Sequence, residues 1–204
     1  MNYELAYRVG FHPWEEAEDQ PAFTKKLSEL LRHEEGGREP PYGPALDLGT
    51  GSGIWGVQLA RRGWQVKGID IVDKALRRDR ERVRAAGVDM QVLRGDVTAL
   101  READVGSEIQ LILDTGTFHG LSRAQRAAMG GEVSAVAAGD ATILLLGWTP
   151  KHRGPLPRGV SHADVEDAFP GWVVADAGPT GFEAPKPIEL LLKPEERWYR
   201  LRRR

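Results

Sequence analysis

The residues best suited to chemistry stand together in Ala45-Leu46-Asp47-Leu48-Gly49-Thr50-Gly51-Ser52-Gly53. Glycines at alternate positions permit a tight turn and let a ligand approach bare backbone. Asp47 precedes the first of them by two residues. An anion there repels a pyrophosphate and welcomes a cationic ligand. Gly51, Gly53 and Gly56 also satisfy the dinucleotide pattern G-x-G-x-x-G, with Asp70 at a spacing that could hold a ribose. A nicotinamide-dependent oxidoreductase therefore stays open as a second class. A Walker-type phosphate loop does not, because no Gly-Lys-Ser/Thr follows. The chain has no cysteine and no His-x-x-x-His pair. Cysteine nucleophiles, disulfides and thiolate metal sites are thus excluded, and no metal site is predicted. A Mg2+ ion held mainly by water and substrate would leave little trace and stays open.

Such a turn needs a strand before it and a helix after it. Five apolar runs, Ala45–Leu48, Gln65–Asp70, Asp89–Leu93, Ile109–Leu113 and Ala141–Leu146, have the length of strands buried on both faces. Helix signals lie between them. Ser122 with Gln125 and Ser161 with Asp164 fit capping boxes, and Asp73 can cap the charged run Lys74–Ala86. Alternating strands and helices predict an α/β, Rossmann-like doubly wound sheet, mostly parallel. Trp172–Ala177 reads as a further strand, with Trp198–Arg203 returning beside it as a closing antiparallel one. Residues 1–40 read as an N-terminal helical cap, with Pro21 starting a helix and Gly36-Gly37 ending it. Residues 41–204 form the main domain, with substrate-side loops at 150–160 and 179–195.

The 204 residues, 41% hydrophobic and 28% charged, suit one domain with a proper core. A net charge of −2 argues against a general grip on nucleic acid. No apolar stretch approaches the ~20 residues of a membrane span, and the start lacks a signal-peptide core. A cytoplasmic protein without membrane or nucleic-acid partners is expected. The arginines at 77, 78, 80, 82 and 84 read as a solvated helix face, and those at 197, 200 and 202–204 as the exposed side of an edge strand plus a frayed terminus, with a basic end for an anionic partner as the alternative.

Over roughly residues 43–148 the chain resembles the class I S-adenosylmethionine-dependent methyltransferases. The likeness rests on Asp47-Leu-Gly49-Thr50-Gly51-Ser-Gly53, Asp70, Gly95-Asp96-Val97 and Asp114-Thr115-Gly-Thr, each closing a successive strand. It implies S-adenosyl-L-methionine as cofactor and S-adenosyl-L-homocysteine as product. In such enzymes the glycine turn backs the methionine part, and the position of Asp70 holds the ribose hydroxyls. That of Asp96 accepts from the adenine amine, and the segment at Asp114-Thr115 contacts the amino-acid end. Ile71-Val72 after Asp70 would leave adenine stacking to apolar groups, and Val97 counts with Asp96 among the cofactor residues.

Methyl transfer to an alcohol is helped by a positioned base, worth ~10²–10⁴-fold. His119, in Thr-Phe118-His119-Gly just past the fourth strand, is the expected base. His152 with Arg153, and His12, are further candidates for the substrate side. Tyr7, Phe11 and Trp14, spaced by four and three, would share one helix face as an aromatic wall. Phe118-His119 after Asp-Thr-Gly-Thr resembles the small-molecule branch of the family, and the two chain ends resemble small actinobacterial sugar O-methyltransferases. The expected activity is O-methylation of a small molecule, with a saccharide as partner. Detoxifying S- or N-methylation and a non-catalytic cofactor-binding protein remain alternatives, as does a homodimer.

Overall fold

The structure, a computed structural model, describes residues 17–151, 158–182 and 195–204. Pro21 opens α1 (Pro21–Glu35), where a missing N–H costs nothing, and Gly36 follows its last turn. β1 (Pro44–Leu48) passes through the glycine turn into α2 (Ile54–Arg62). Then come β2 (Gln65–Asp70), α3 (Asp73–Ala86) and β3 (Met90–Arg94). A 3₁₀ turn at Leu100–Ala103 precedes β4 (Ile109–Asp114), and another, Phe118–Gly120, follows it. α4 (Arg123–Val136) runs straight into β5 (Ala137–Trp148). α5 (His162–Ala168), β6 (Trp172–Pro179) and β7 (Glu196–Arg203) complete the described chain.

The seven strands form one sheet in the order β3-β2-β1-β4-β5-β7-β6. β1 to β5 are parallel, while β7 runs antiparallel to both β5 and β6. The strand order reverses between β1 and β4, the place where a doubly wound sheet opens a crevice at its C-terminal edge. Side chains alternate between two cores. Leu46, Leu48, Ile112, Ile143 and Leu145 pack with Met129 and Val133 of α4 and Val165 of α5. Ala45, Leu111, Leu113, Leu144 and Leu146 pack with Phe23, Leu27 and Leu31 of α1 and with Trp55 of α2. The described part of the 1–40 segment therefore supplies a helix of the sandwich itself.

Ser122 and Ser161 form complete capping boxes, as their spacing predicts. Asp73 does not cap α3. Val72 is the N-cap residue and its N–H is taken by Asp70 Oδ1 at 2.8 Å, which leaves Asp73 in the first turn, paired with Arg94 at 3.0 Å. β5 is longer than the apolar run suggests, because a register shift against β4 between Ile109 and Leu111 accommodates Ala138–Ala141. The C-terminal arginines are not the face of an edge strand, since β6 takes the edge. Arg200 and Arg202 pair with Glu34, Arg197 pairs with Asp176, and Arg203 lies over the Trp172 ring and donates to the Ala137 carbonyl. No described helix is long and apolar enough to cross a membrane.

Candidate functional site

The loops after β1, β2 and β4 meet above the crevice, and two glycines let them do so. Gly49 has φ 64°, and a Cβ there would collide with Thr117 Oγ1. Thr117 donates to the Leu48 carbonyl at 3.2 Å, so the loop after β4 rests on the first glycine. Gly53 has φ 78°, and a Cβ there would collide with Asp79 Oδ1 on α3. Between them the turn is stitched to β2: Thr50 N donates to Ile69 O at 2.9 Å, and Gly51 N to Asp70 Oδ2 at 3.0 Å.

Four acids follow from this packing. Asp47 is buried beneath the turn, where its Oδ2 accepts the Thr50 hydroxyl at 2.9 Å. Its Oδ1 receives nothing from the described residues. Burial pushes Asp47 up to about 7 against the Thr50 bond, and the charges of Asp79 and Asp114 add to the rise. Asp70 is half-buried and also raised by burial, with the N–H groups of Val72 and Gly51 opposing. Its two oxygens accept the N–H groups of Gly51 and Val72, with the Ile71 N–H also nearby, and a carboxylate has acceptor capacity beyond these for a vicinal diol. Asp96 is exposed and takes both the N–H and the hydroxyl of Thr98 on Oδ1, each at 2.8 Å. Beside these acids Ile71 is 57% exposed, an unusual apolar surface on the rim, while Val97 is buried in the core.

Asp114 behaves differently. It is fully buried and accepts from Gly116, Thr117 and Phe118 N–H groups at 2.8, 2.7 and 3.0 Å. Burial holds it up at about 6 despite these donors. Its carboxylate is spent on shaping the rim loop that carries the half-buried Thr115. Phe118, expected to face a substrate, is instead core: it is fully buried, packs 5.7 Å from the Phe169 ring and lies under Arg126. The physical reason is the Asp114 turn, which directs residue 118 inward.

His119 lies on the same loop, 6% exposed, stacked on Trp148 at 4.9 Å and 13° between planes. It bridges the ends of β4 and β5. Its Cε1 would be 3.3 Å from a Cβ at Gly116, so the glycine makes room for the ring. Arg126 on α4 donates to the carbonyls of Phe118, His119 and Gly159 at 3.2, 3.1 and 3.2 Å. Trp148 Nε1 donates to Glu196 at 2.7 Å, tying this corner to β7. His33 and His162, the other described histidines, sit exposed on α1 and α5. Tyr7, Phe11, His12, Trp14, His152 and Arg153 lie outside the described residues.

Sequence reasoning missed Asp79, Thr117, Arg126 and Trp148. Thr117 closes the Asp114-Thr-Gly-Thr segment without having been singled out, and Asp79 carried a signal of its own: it stands three residues after Leu76 and four after Ala75, on the buried stripe of α3. The arginines around it hid that stripe. Among the described residues no group of three or more His, Asp or Glu could hold a metal.

Comparison with known proteins agrees with this geometry. Residues 45–139 match the family described as a methyltransferase domain. Ribosomal RNA small subunit methyltransferase C of Alcanivorax borkumensis is 30% identical over 90 residues, covering 44% of this chain and 26% of that protein. The chain thus spans about a quarter of that relative's length. Among solved structures, the 1,6-didemethyltoxoflavin-N1-methyltransferase of Burkholderia thailandensis, with bound S-adenosylhomocysteine, superimposes with a TM-score of 0.72 at 17% identity, over 99% of this chain and 85% of that one. An S-adenosylmethionine-dependent methyltransferase of Aquifex aeolicus gives 0.66 at 20% identity, over 95% and 100%. At these identities the likeness is one of fold.

Proposed function

We propose that this chain, whose residues 45–139 match the methyltransferase-domain family, is a class I S-adenosylmethionine-dependent enzyme that methylates an oxygen of a small hydroxylated acceptor such as a sugar. The residues fit the cofactor. Asp47 Oδ1 is a buried carboxylate oxygen without a donor among the described residues, suited to a cationic amino group. Asp70 keeps acceptor sites for a diol, and exposed Ile71 offers an apolar face. When bound, the cofactor supplies a methyl carbon already activated by positive sulfur. Asp47 and the glycine turn would hold its amino-acid end, Asp70 its ribose and Asp96 its adenine.

The remaining work falls to alignment and to one proton. Alignment of two bound reactants can supply ~7–11 kcal/mol of a barrier. An alcohol keeps its proton near neutral pH, so the acceptor oxygen needs a base beside it. His119 is the residue assigned that role. One observation carries the reading: the loop that carries His119 also rests, through Thr117, on Gly49. The base and the cofactor turn are thereby built as one unit. Asp114 holds the loop from beneath, and Arg126 holds its carbonyls from the side.

A second reading is transfer to nitrogen of a flat heterocycle. The parallel His119–Trp148 pair favours it, and the Burkholderia thailandensis neighbour is named for N1-methylation. RNA is the substrate in the name of the Alcanivorax relative. It suits this chain poorly, because the net charge is −2 and the arginines of β7 are engaged with Glu34, Asp176 and backbone. Methyl-labelled S-adenosylmethionine, offered with a panel of sugars, phenols, thiols and N-heterocycles and read by mass spectrometry, decides between them. Label on a hydroxyl is expected; label confined to nitrogen or sulfur overturns the oxygen reading.

A further inference from the structure

Asp79 belongs to no motif, yet it is among the most buried polar residues of the chain. Its side chain is fully buried against Gly53, and neither carboxyl oxygen receives a hydrogen bond from a described residue. The cations nearest to it on α3 are engaged elsewhere. Arg80 donates to Val92 O at 3.4 Å, and Arg82 to Ser52 O at 3.0 Å and to Glu18 at 3.3 Å. Asp70 faces Asp79 from β2, and Asp47 faces it from β1, with Asp114 beyond. Burial pushes Asp79 up to about 7, against the pull of the Thr50 hydroxyl, Arg80 and Arg82.

The Thr50 hydroxyl lies beside both Asp47 and Asp79, but it has one proton to give. It gives that proton to Asp47 Oδ2 at 2.9 Å. Toward a second carboxyl its oxygen can act only as an acceptor. An ionised Asp79 would therefore face a lone pair and two other carboxylates, a buried charge without compensation. A protonated Asp79 faces the same oxygen as a donor. Two carboxyls coupled in this way titrate as a pair, and one shared proton satisfies both.

We propose that Asp79 is a positioning residue that carries the one proton of this pair, so that Asp47 is the ionised member, held by Thr50 for the cofactor's cationic end. The location of the proton is a property of the folded chain. Only the ligand rests on the methyltransferase reading.

Two measurements test this separately. Infrared spectra of the ligand-free protein near pH 6 should contain a carboxylic-acid carbonyl band that disappears in Asp79→Asn. Persistence of every such band in the variant overturns the assignment. Calorimetry with S-adenosylhomocysteine gives the second. Asp79→Asn, which keeps a neutral donor, should bind about tenfold or more tightly than Asp79→Leu, which has none, the equivalent of ~1.4 kcal/mol. Thr50→Val removes the relay and should bind as poorly as Asp79→Leu, which guards against a leucine variant that fails to fold. Equal affinity of the Asn and Val variants overturns the positioning role. If the unaltered protein binds no S-adenosylhomocysteine, the cofactor reading and the positioning role fall together, while the infrared band still locates the proton.

Discussion

Asp70 serves a turn and a ligand with one carboxylate. Its two oxygens already hold Gly51 N and Val72 N, so its loss would both remove ribose acceptors and loosen the glycine turn. Asp70→Ala should weaken S-adenosylhomocysteine binding by ~1–3 kcal/mol, roughly fivefold to a hundredfold, in calorimetry. An unchanged dissociation constant would remove Asp70 from the site. His119 is not among the residues assigned to the cofactor, and its ring stacks on Trp148 beside Gly116. His119→Ala should therefore lower turnover of a hydroxyl acceptor by ~10²-fold or more while cofactor affinity stays put. Near-normal turnover of a verified hydroxyl acceptor would show that another group takes the proton.

At the scale of elements, α4 does more than cover the sheet. Its capping box fixes where the helix begins, and one turn inside it Arg126 reaches back to two segments at once. Burial pulls the Arg126 pKa down, Asp164 opposes that, and three carbonyls take its donors. A methionine of similar length keeps the packing on Phe118 but drops all three bonds. Arg126→Met should raise the acceptor KM and lower kcat several-fold, with S-adenosylhomocysteine affinity little changed. Steady-state kinetics beside calorimetry check this. A parallel loss of cofactor affinity would mean that Arg126 supports the whole rim instead of its acceptor side.

For the whole molecule, the acid cluster under the crevice sets a pH dependence. Asp47 and Asp79 are raised to about 7 and Asp114 to about 6, above an ordinary value of 3.8. Between pH ~4 and ~7 the folded chain thus holds protons within this coupled cluster, one of them shared by Asp47 and Asp79, that the unfolded chain has released. Stability from this source is complete below ~4 and lost as pH rises through ~7. A tenfold difference in proton affinity between the folded and unfolded chain is worth ~1.4 kcal/mol, so one such group accounts for a few kcal/mol. The melting temperature of the ligand-free protein should fall from pH 5 to pH 8, and less steeply in Asp79→Asn; identical slopes would contradict the titration. Saturating S-adenosylhomocysteine should raise the melting temperature, by ~2.7 kcal/mol of stability at a hundredfold excess over Kd, while NAD and NADP should not. Stabilisation by NAD alone would return the glycine turn to the oxidoreductase reading.

Local spacing determined a large part of this protein. Apolar runs of strand length, Ser-x-x-Gln and Ser-x-x-Asp caps, and glycines at 49, 51 and 53 each act within a few residues of themselves. Their outcome can be read along the chain, and the strands, the capped helices and the cofactor turn follow. Packing between distant segments decided the rest. β7 inserts between β5 and β6, which turns an expected edge into an interior strand and commits its arginines. Phe118 turns inward because Asp114 folds the loop beneath it. Asp79 reads as one member of a charged surface run until α3 docks on Gly53 and removes it from water. Burial is a property of what arrives on top of a residue, and for Asp79 that surface comes from a turn 26 residues earlier in the chain.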